Sequence, residues 1–433
     1  MTPLVHRTLP GRRPLRLRRL AEVLSLVGAV TAGGVLAPSD AFGIASQTPI
    51  RTWQTGPLPP SNPSGKEWQG GRVYAIARGN GKIFIGGVFT QALPPWGIAG
   101  APVPRYQLMA LDAVTGNLDT AFDAQMNGDE IRALAVSPDE TTLYVGGRFT
   151  AAGGSPAKNI AALSTTTGRA KPGWRAGADQ EVLSLITRGS TVFVGGKFST
   201  VTDSGGSHAR PVIAALAAGD GSLISGWHPS LTGCSNNRNG CVGPFAEAMA
   251  MSSDNTTLYV GGAIDHADTH ACTICAIDPD TGAVDTAFTP PNSREVFALT
   301  TDSGAVYAAL GGGGGAGMAF DSATGRQLWE VRGDGNFQGV AVLGGIVYFG
   351  GHFGDVYPYA VNGIRVTQVH YTRKKIFALD ATTAQIDTGY APIVNSPLGI
   401  FVILGTPNRI DIGGDFTSVA GVHQAHYAEL NVP

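Results

Sequence analysis

Two histidines and two cysteines stand close together in the order His266, His270, Cys272, Cys275, an H-x3-H-x-C-x2-C spacing. Two imidazoles and two thiolates suit a tetrahedral zinc ion. The other cysteines, Cys234 and Cys241, flank the polar, turn-forming stretch SNNRNG. Four cysteines allow three pairings, and if the amino terminus directs export, as read below, thiols outside the cytoplasm are usually oxidised to disulfides. A local Cys234–Cys241 bridge with Cys272–Cys275 is the simplest set. Three-residue spacing in a strand points the second pair to opposite faces, so that bond needs a bulge or a turn. A crossed pairing between the two segments is the alternative. Disulfides are preferred here over zinc, and no metal or cofactor is assigned.

The remaining candidates are more diffuse. His208, His228, His352, His370, His423 and His426 fall near loops in no His–Ser–Asp or His–Cys order, so no catalytic residue is assigned. Asp112, Asp278, Asp321 and Asp380 recur at one turn position. A catalytic pair would occur once rather than once per repeat, so side-chain bonding to turn backbone accounts for them better. Arg105, Lys158, Arg210, Arg373 and Lys374 recur just before a strand, as solvated or carboxylate-paired residues or, alternatively, as a grip on an anionic glycan or phosphate. Two aromatic insertions are the candidate ligand-binding loops. One is 91–105 with Trp96, followed by Tyr106; the other is 354–373 with Tyr357, Tyr359, His370 and Tyr371. Flat rings stack on sugars or peptides at low entropic cost.

These residues hang on a repeat. A strand ending in Gly-Gly appears as KIFIGGVFT at 82–90, TLYVGGRFT at 142–150, TVFVGGKFS at 191–199 and TLYVGGAI at 257–264. IVYFGGHF at 346–353 and RIDIGGDFT at 409–417 follow, with a degenerate copy, AVYAALGGGGG, at 305–315. Irregular spacing around a constant motif means loop insertions on a fixed core. Each copy is preceded by a strand with a small central residue: Ala75, Ala133, Ser184, Ala248, Ala298, Gly339 and Gly399. Crowding of innermost strands about an axis demands small side chains there. After each copy comes a third strand ending in a turn such as MALDAVTG at 109–116, and then an aromatic: Phe122, Trp174, Trp227, Phe288, Trp329 or Tyr390. Four strands in each of seven units predict an all-β, seven-bladed β-propeller of four-stranded blades. The last unit lacks an aromatic fourth strand, and residues 50–54 with Trp53 can supply it, closing the ring and removing a sheet edge.

Composition agrees. The 433 residues include 61 glycines, and only 14% are charged against about 25% in an average chain. Disorder is excluded by ample apolar material, collagen by the absence of a Gly-X-Y period, and a net charge of −2 gives no case for nucleic acid. Six arginines lie within residues 1–19, followed by an apolar run over 23–36 and then APSDAFG. That order describes a secretory signal peptide over 1–43, with an uncleaved anchor as the alternative. Its removal leaves 24 basic and 30 acidic residues, a net charge of −6, in one propeller domain over 44–433 with no membrane span.

The pattern V-x-A-L-A, Y-V-G-G-x-F-T, A-A-L-D-x-x-T-G and Trp, clearest over 131–174, resembles the delta-60 type β-propeller repeat of secreted bacterial proteins. The resemblance covers residues 50–430 and implies the fold, not an activity. A second likeness, AFDSATGRQLWE at 319–330, is to the tryptophan-docking repeat of quinoprotein dehydrogenases. There the motif staples blades, and the adjacent cysteine pair that such an active site needs is absent from this sequence. The reading is an exported, monomeric binding or interaction module, secreted or at the cell surface, for a protein or glycan ligand. The alternative is an extracellular enzyme, a glycan hydrolase or lyase or a quinone-dependent dehydrogenase, acting at the channel mouth.

Overall fold

The computed structural model describes residues 44–56, 71–233, 244–266, 273–292 and 294–433, and every regular element among them is a β-strand. The signal-peptide segment 1–43, Cys234, Cys241, His270 and Cys272 lie outside the described residues. No helix among the described residues is long and apolar enough to cross a membrane.

One antiparallel motif recurs seven times. In the first unit, Arg72–Gly79 pairs with Lys82–Val88, which pairs with Leu108–Asp112. The same order is built on inner strands Asn127–Val136, Val182–Arg188, Phe245–Met251, Val296–Thr301, Phe337–Leu343 and Ile400–Thr406. Each inner strand lies beside that of the following unit, and Arg72–Gly79 lies beside Ile400–Thr406 of the seventh. The architecture is all-β, repetitive and propeller-like.

The Gly-Gly pair has a steric cause. In six units the register slips by one residue opposite it, as between Val73 and Ala75 or between Ile131 and Ala133, and in the fifth the same slip stands opposite Ala309-Leu310. Such a β-bulge turns one extra residue out of the ladder. A Cβ on the second glycine would meet the carbonyl oxygen before the bulge, at 1.9 Å for Gly87 and 2.2 Å for Gly147. A Cβ on the first would strike the next unit's inner strand, at 2.6 Å from Ile131 for Gly86 and 2.5 Å from Val182 for Gly146. Gly413, in the last unit, is held in the same way by Val73 of the first, at 2.6 Å.

Three expectations are corrected. The fourth strand is full only in the fifth unit, Gln327–Gly333, where alternating apolar residues pair on both sides. Elsewhere it shrinks to a single bridge such as Leu111–Leu118 or Leu216–Leu223, because turn formers such as Pro172-Gly173 and Ser225-Gly226 follow at once. Its aromatic still docks on a second-strand ring: Phe84–Phe122 at 5.3 Å, Phe193–Trp227 at 5.1 Å and Tyr348–Tyr390 at 5.6 Å. In the fifth unit the bulge faces Ala309-Leu310, and the glycine run that follows makes the turn into the third strand. In the seventh, Val402 rather than Gly399 stands opposite the first glycine; Gly399 precedes the strand, its N–H donating to Asp415.

The amino-terminal segment touches the last unit through one bridge and several hydrogen bonds, while its strand, Gln54–Thr55, pairs with Gln91–Leu93 of the first unit. Ile50 bridges Glu429, Ser46 N–H donates to the Asn431 carbonyl, and Gln424 and His426 bond Thr52 and Thr55. Where other units place an aromatic on the second strand, the seventh has Asp411, fully buried. Arg78 of the first unit reaches it with two hydrogen bonds of 2.6 and 2.8 Å and adds Glu429 at 3.1 Å; the Tyr427 hydroxyl donates to Asp411 at 2.8 Å. Burial pushes the Arg78 guanidinium down, but the hydrogen bonds and charge of Asp411 outweigh it and hold its pKa above the ordinary value.

Candidate functional site

Antiparallel strands send alternate connections to opposite ends. The loops between second and third strands therefore share one end of the sheets with the loops that join units, and with the bulges. At that end a cavity of about 510 Å³ lies among the inner strands, and three successive residues from every unit line it. The bulged residues form the first level: Tyr74, Arg132, Leu183, Glu247, Phe297, Gln338 and Phe401. The next level is small in six units, as at Ala75, Ala133 and Ser184, with Val402 in the seventh, and the third is apolar throughout, from Ile76 and Leu134 through Met249 to Ile403. The bulge level thus carries six kinds of side chain, Phe twice, and the other polar lining residues are Arg72, Ser184 and His352.

The bulge level is organised. Tyr74 packs on Phe401 at 5.0 Å, and the Arg132 guanidinium lies over the Tyr74 ring at 4.4 Å. Arg132 Nη2 meets Glu247 Oε1 across the cavity at 3.3 Å. Burial pushes the Glu247 carboxyl up to about 7 against the pull of Arg132. Gln338 Oε1 is buried and has no hydrogen-bond partner among the described residues.

At the start of the inner strands stands a carboxylate group that sequence reasoning missed. Glu130 hydrogen-bonds Glu181; burial and that bond raise Glu130. Burial also pushes Glu181 up, but the Lys197 ammonium, at 2.8 Å, and the bond from Glu130 outweigh it and leave Glu181 lowered. Burial raises Glu295 as well. Glu130, Glu181 and Glu295 each stand immediately before the residue that begins the bulge, Ile131 opposite Gly147, Val182 opposite Gly196 and Val296 opposite Leu310. Recurrence of Glu at that register, but in three units only, was the available signal. Among the described residues no group of three or more His, Cys, Asp or Glu could hold a metal ion.

The aromatic insertions divide. Trp96 is 62% exposed with one face stacked on His423 of the last unit at 3.9 Å, and Tyr106 is 52% exposed. Both lie at the cavity end of the first unit, leaving open ring surface. The second insertion instead forms a strand, Asp355–Val361, that extends the fifth unit's sheet outward. There Tyr357 stacks on His370 at 4.5 Å, Tyr359 is covered by Arg332 at 3.2 Å, and Tyr371 faces Arg373 at 5.5 Å. His370 Nδ1 also bonds Asp355 at 2.5 Å. The structure brings those four together on an outer edge, away from Trp96 and Tyr106.

The repeated polar residues are structural. Asp112 accepts hydrogen bonds from the backbone of Val114 and Thr115 and from the Thr115 hydroxyl, which lower its pKa. Arg105, Arg210 and Arg373 donate to the carbonyls of Thr120, Ser225 and Asp387, pinning the short fourth segments rather than lining a face. Cys275 is buried in the fourth unit's third strand, opposite Val260.

No family model matches the chain, and no curated protein matches it. Among solved structures it is similar to the computationally designed Ika8 protein, at 14% identity over 88% of this chain and 100% of that one, with a TM-score of 0.47. It is also similar to the WD40 beta propeller domain of Doa1, at 13% identity over 88% and 96% of the two chains, with a TM-score of 0.43.

Proposed function

We propose that the chain is an exported, monomeric seven-bladed β-propeller of the delta-60 repeat type, acting outside the cell or at its surface as an interaction module. Seven inner strands in succession, Gly413 against Val73, and the Ile50–Glu429 bridge support a ring closed by the amino-terminal strand. The observation that carries the binding reading is the bulge level: the repeat holds the scaffold constant while seven side chains of six kinds converge on one cavity. Function on such scaffolds lies in the site rather than the fold. Trp96 and Tyr106 extend that surface at its rim, and the ligand is a protein or a glycan.

The test is a screen of the purified mature chain against a displayed peptide library and a glycan array, with Trp96→Ala and Gln338→Ala as controls. Binders weakened by these changes are expected. An empty screen, or binders indifferent to both substitutions, would refute the reading. Mass spectrometry of the exported protein should find an amino terminus beginning near Ile44.

One observation favours an enzyme instead. Glu130 and Glu181 are hydrogen-bonded carboxyls driven in opposite directions, an arrangement that can supply an acid and a base. A glycan hydrolase using them would release sugar from a polysaccharide and lose that activity in Glu181→Gln.

A further inference from the structure

The three levels of the cavity define a ligand more narrowly. Resting on the binding reading above, we propose that the cavity receives one apolar side chain of a partner polypeptide, whose flanking backbone amides are read by Arg132, Glu247 and Gln338.

The apolar third level, including Ile76, Leu185, Met249 and Ile403, offers no hydrogen bond to whatever reaches it. A hydroxyl driven there goes unpaired, at a cost of about 1–3 kcal/mol for each group, which disfavours a sugar ring inserted along the axis. A charged tip fares worse. Above that level the chemistry changes within one residue of each strand. Arg132 and Glu247 are joined at 3.3 Å, so their charges offset each other; Arg72 and His352 also line the cavity, Arg72 donating to the Tyr74 hydroxyl at 3.3 Å. A guanidinium carries five donors, and only one hydrogen bond joins this one to Glu247. Gln338 adds an amide, with its carbonyl oxygen buried and unpartnered among the described residues. Donor, acceptor and amide around an apolar well match a peptide backbone, which presents one N–H and one C=O on each side of every side chain. The volume, about 510 Å³, lies in the range of small-ligand pockets, roughly 300–1,000 Å³, and far below that of a folded domain. The partner must therefore present a protruding loop or terminus.

The probes are N-acetyl-leucine and N-acetyl-phenylalanine N-methylamides, their lysine and glutamate counterparts, and methyl glucoside, followed by saturation-transfer NMR on the mature protein. Saturation is expected on the leucine and phenylalanine side-chain protons and not on the lysine, glutamate or sugar probes. Gln338→Ala should weaken binding about fivefold, the effect of one ordinary hydrogen bond, and Met249→Asn should abolish it. If Met249→Asn fails to fold, Gln338→Ala decides. Binding of the sugar alone, equal binding of charged probes, or no binding through the millimolar range would overturn the inference. A screen that yields binders sensitive to Trp96→Ala but not to Gln338→Ala would sink this inference alone. An empty screen would sink the binding reading with it.

Discussion

Arg78→Met isolates the junction between first and last units. Asp411 is fully buried and Glu429 is 5% exposed at its side chain, and Arg78 is the first-unit cation that reaches both. Removing one partner of a buried ion pair costs about 3–5 kcal/mol, because a charge is left uncompensated. The compact unit spans residues 42–433. At about 2.1 cal/mol/K of unfolding entropy per residue, a chain of that length loses roughly 4–6 °C of Tm for such a change. The partner change Asp411→Leu removes the orphaned charge, so the double variant should regain more than half of the loss; Glu429 keeps Arg409 at 2.8 Å. Differential scanning fluorimetry of wild type, both singles and the double completes the cycle, with an expected coupling of about 2–3 kcal/mol. A fall below about 1 °C for Arg78→Met, or strict additivity, would refute the claim that these units pack on each other through this network.

Other outcomes follow from the same geometry. Gly147→Ala drives a methyl toward the Glu130 carbonyl, 2.2 Å from the new carbon, and should destabilise by about 2 kcal/mol or more in urea unfolding. Gly97→Ala, with open space around it but a φ of +80°, should cost only about 1 kcal/mol. Burial lowers His426 to about 4 from 6.5. The unfolded chain therefore binds the proton first, and stability falls as pH drops from 6.5 toward 4, by about 3 kcal/mol in all; His426→Gln should flatten that part of the profile. Non-reducing peptide mapping should find all four cysteines in disulfides; stoichiometric zinc in the purified protein would reverse that assignment.

Much of the fold was legible because its cause repeats. Gly-Gly recurs in six units since the bulge there must clear a carbonyl and a neighbouring strand, and the six aromatics recur since each docks on a ring of its own unit. The fourth strand was over-read, because an aromatic at the right distance signals docking, not ladder pairing. Gly399 was misplaced because a small residue near a strand start looks the same whether it lies inside the strand or just before it. The site was hidden for the opposite reason. Tyr74, Arg132, Glu247 and Gln338 share a place in the repeat and nothing in identity, so no motif marks them. Their convergence depends on a one-residue register slip visible only in the pairing. The aromatic loops were found by composition, yet composition could not tell Trp96, with an open face, from Tyr359, covered by an arginine.

The most direct test is hydrogen–deuterium exchange of the mature protein with and without the tightest binder from the peptide and glycan screens. The account predicts protection in the inner-strand peptides that carry Tyr74, Arg132, Glu247, Phe297 and Gln338, strongest at the bulges, with weaker protection around Trp96. Protection confined to the outer insertion 354–373, with the bulges exchanging as in the free protein, would contradict it.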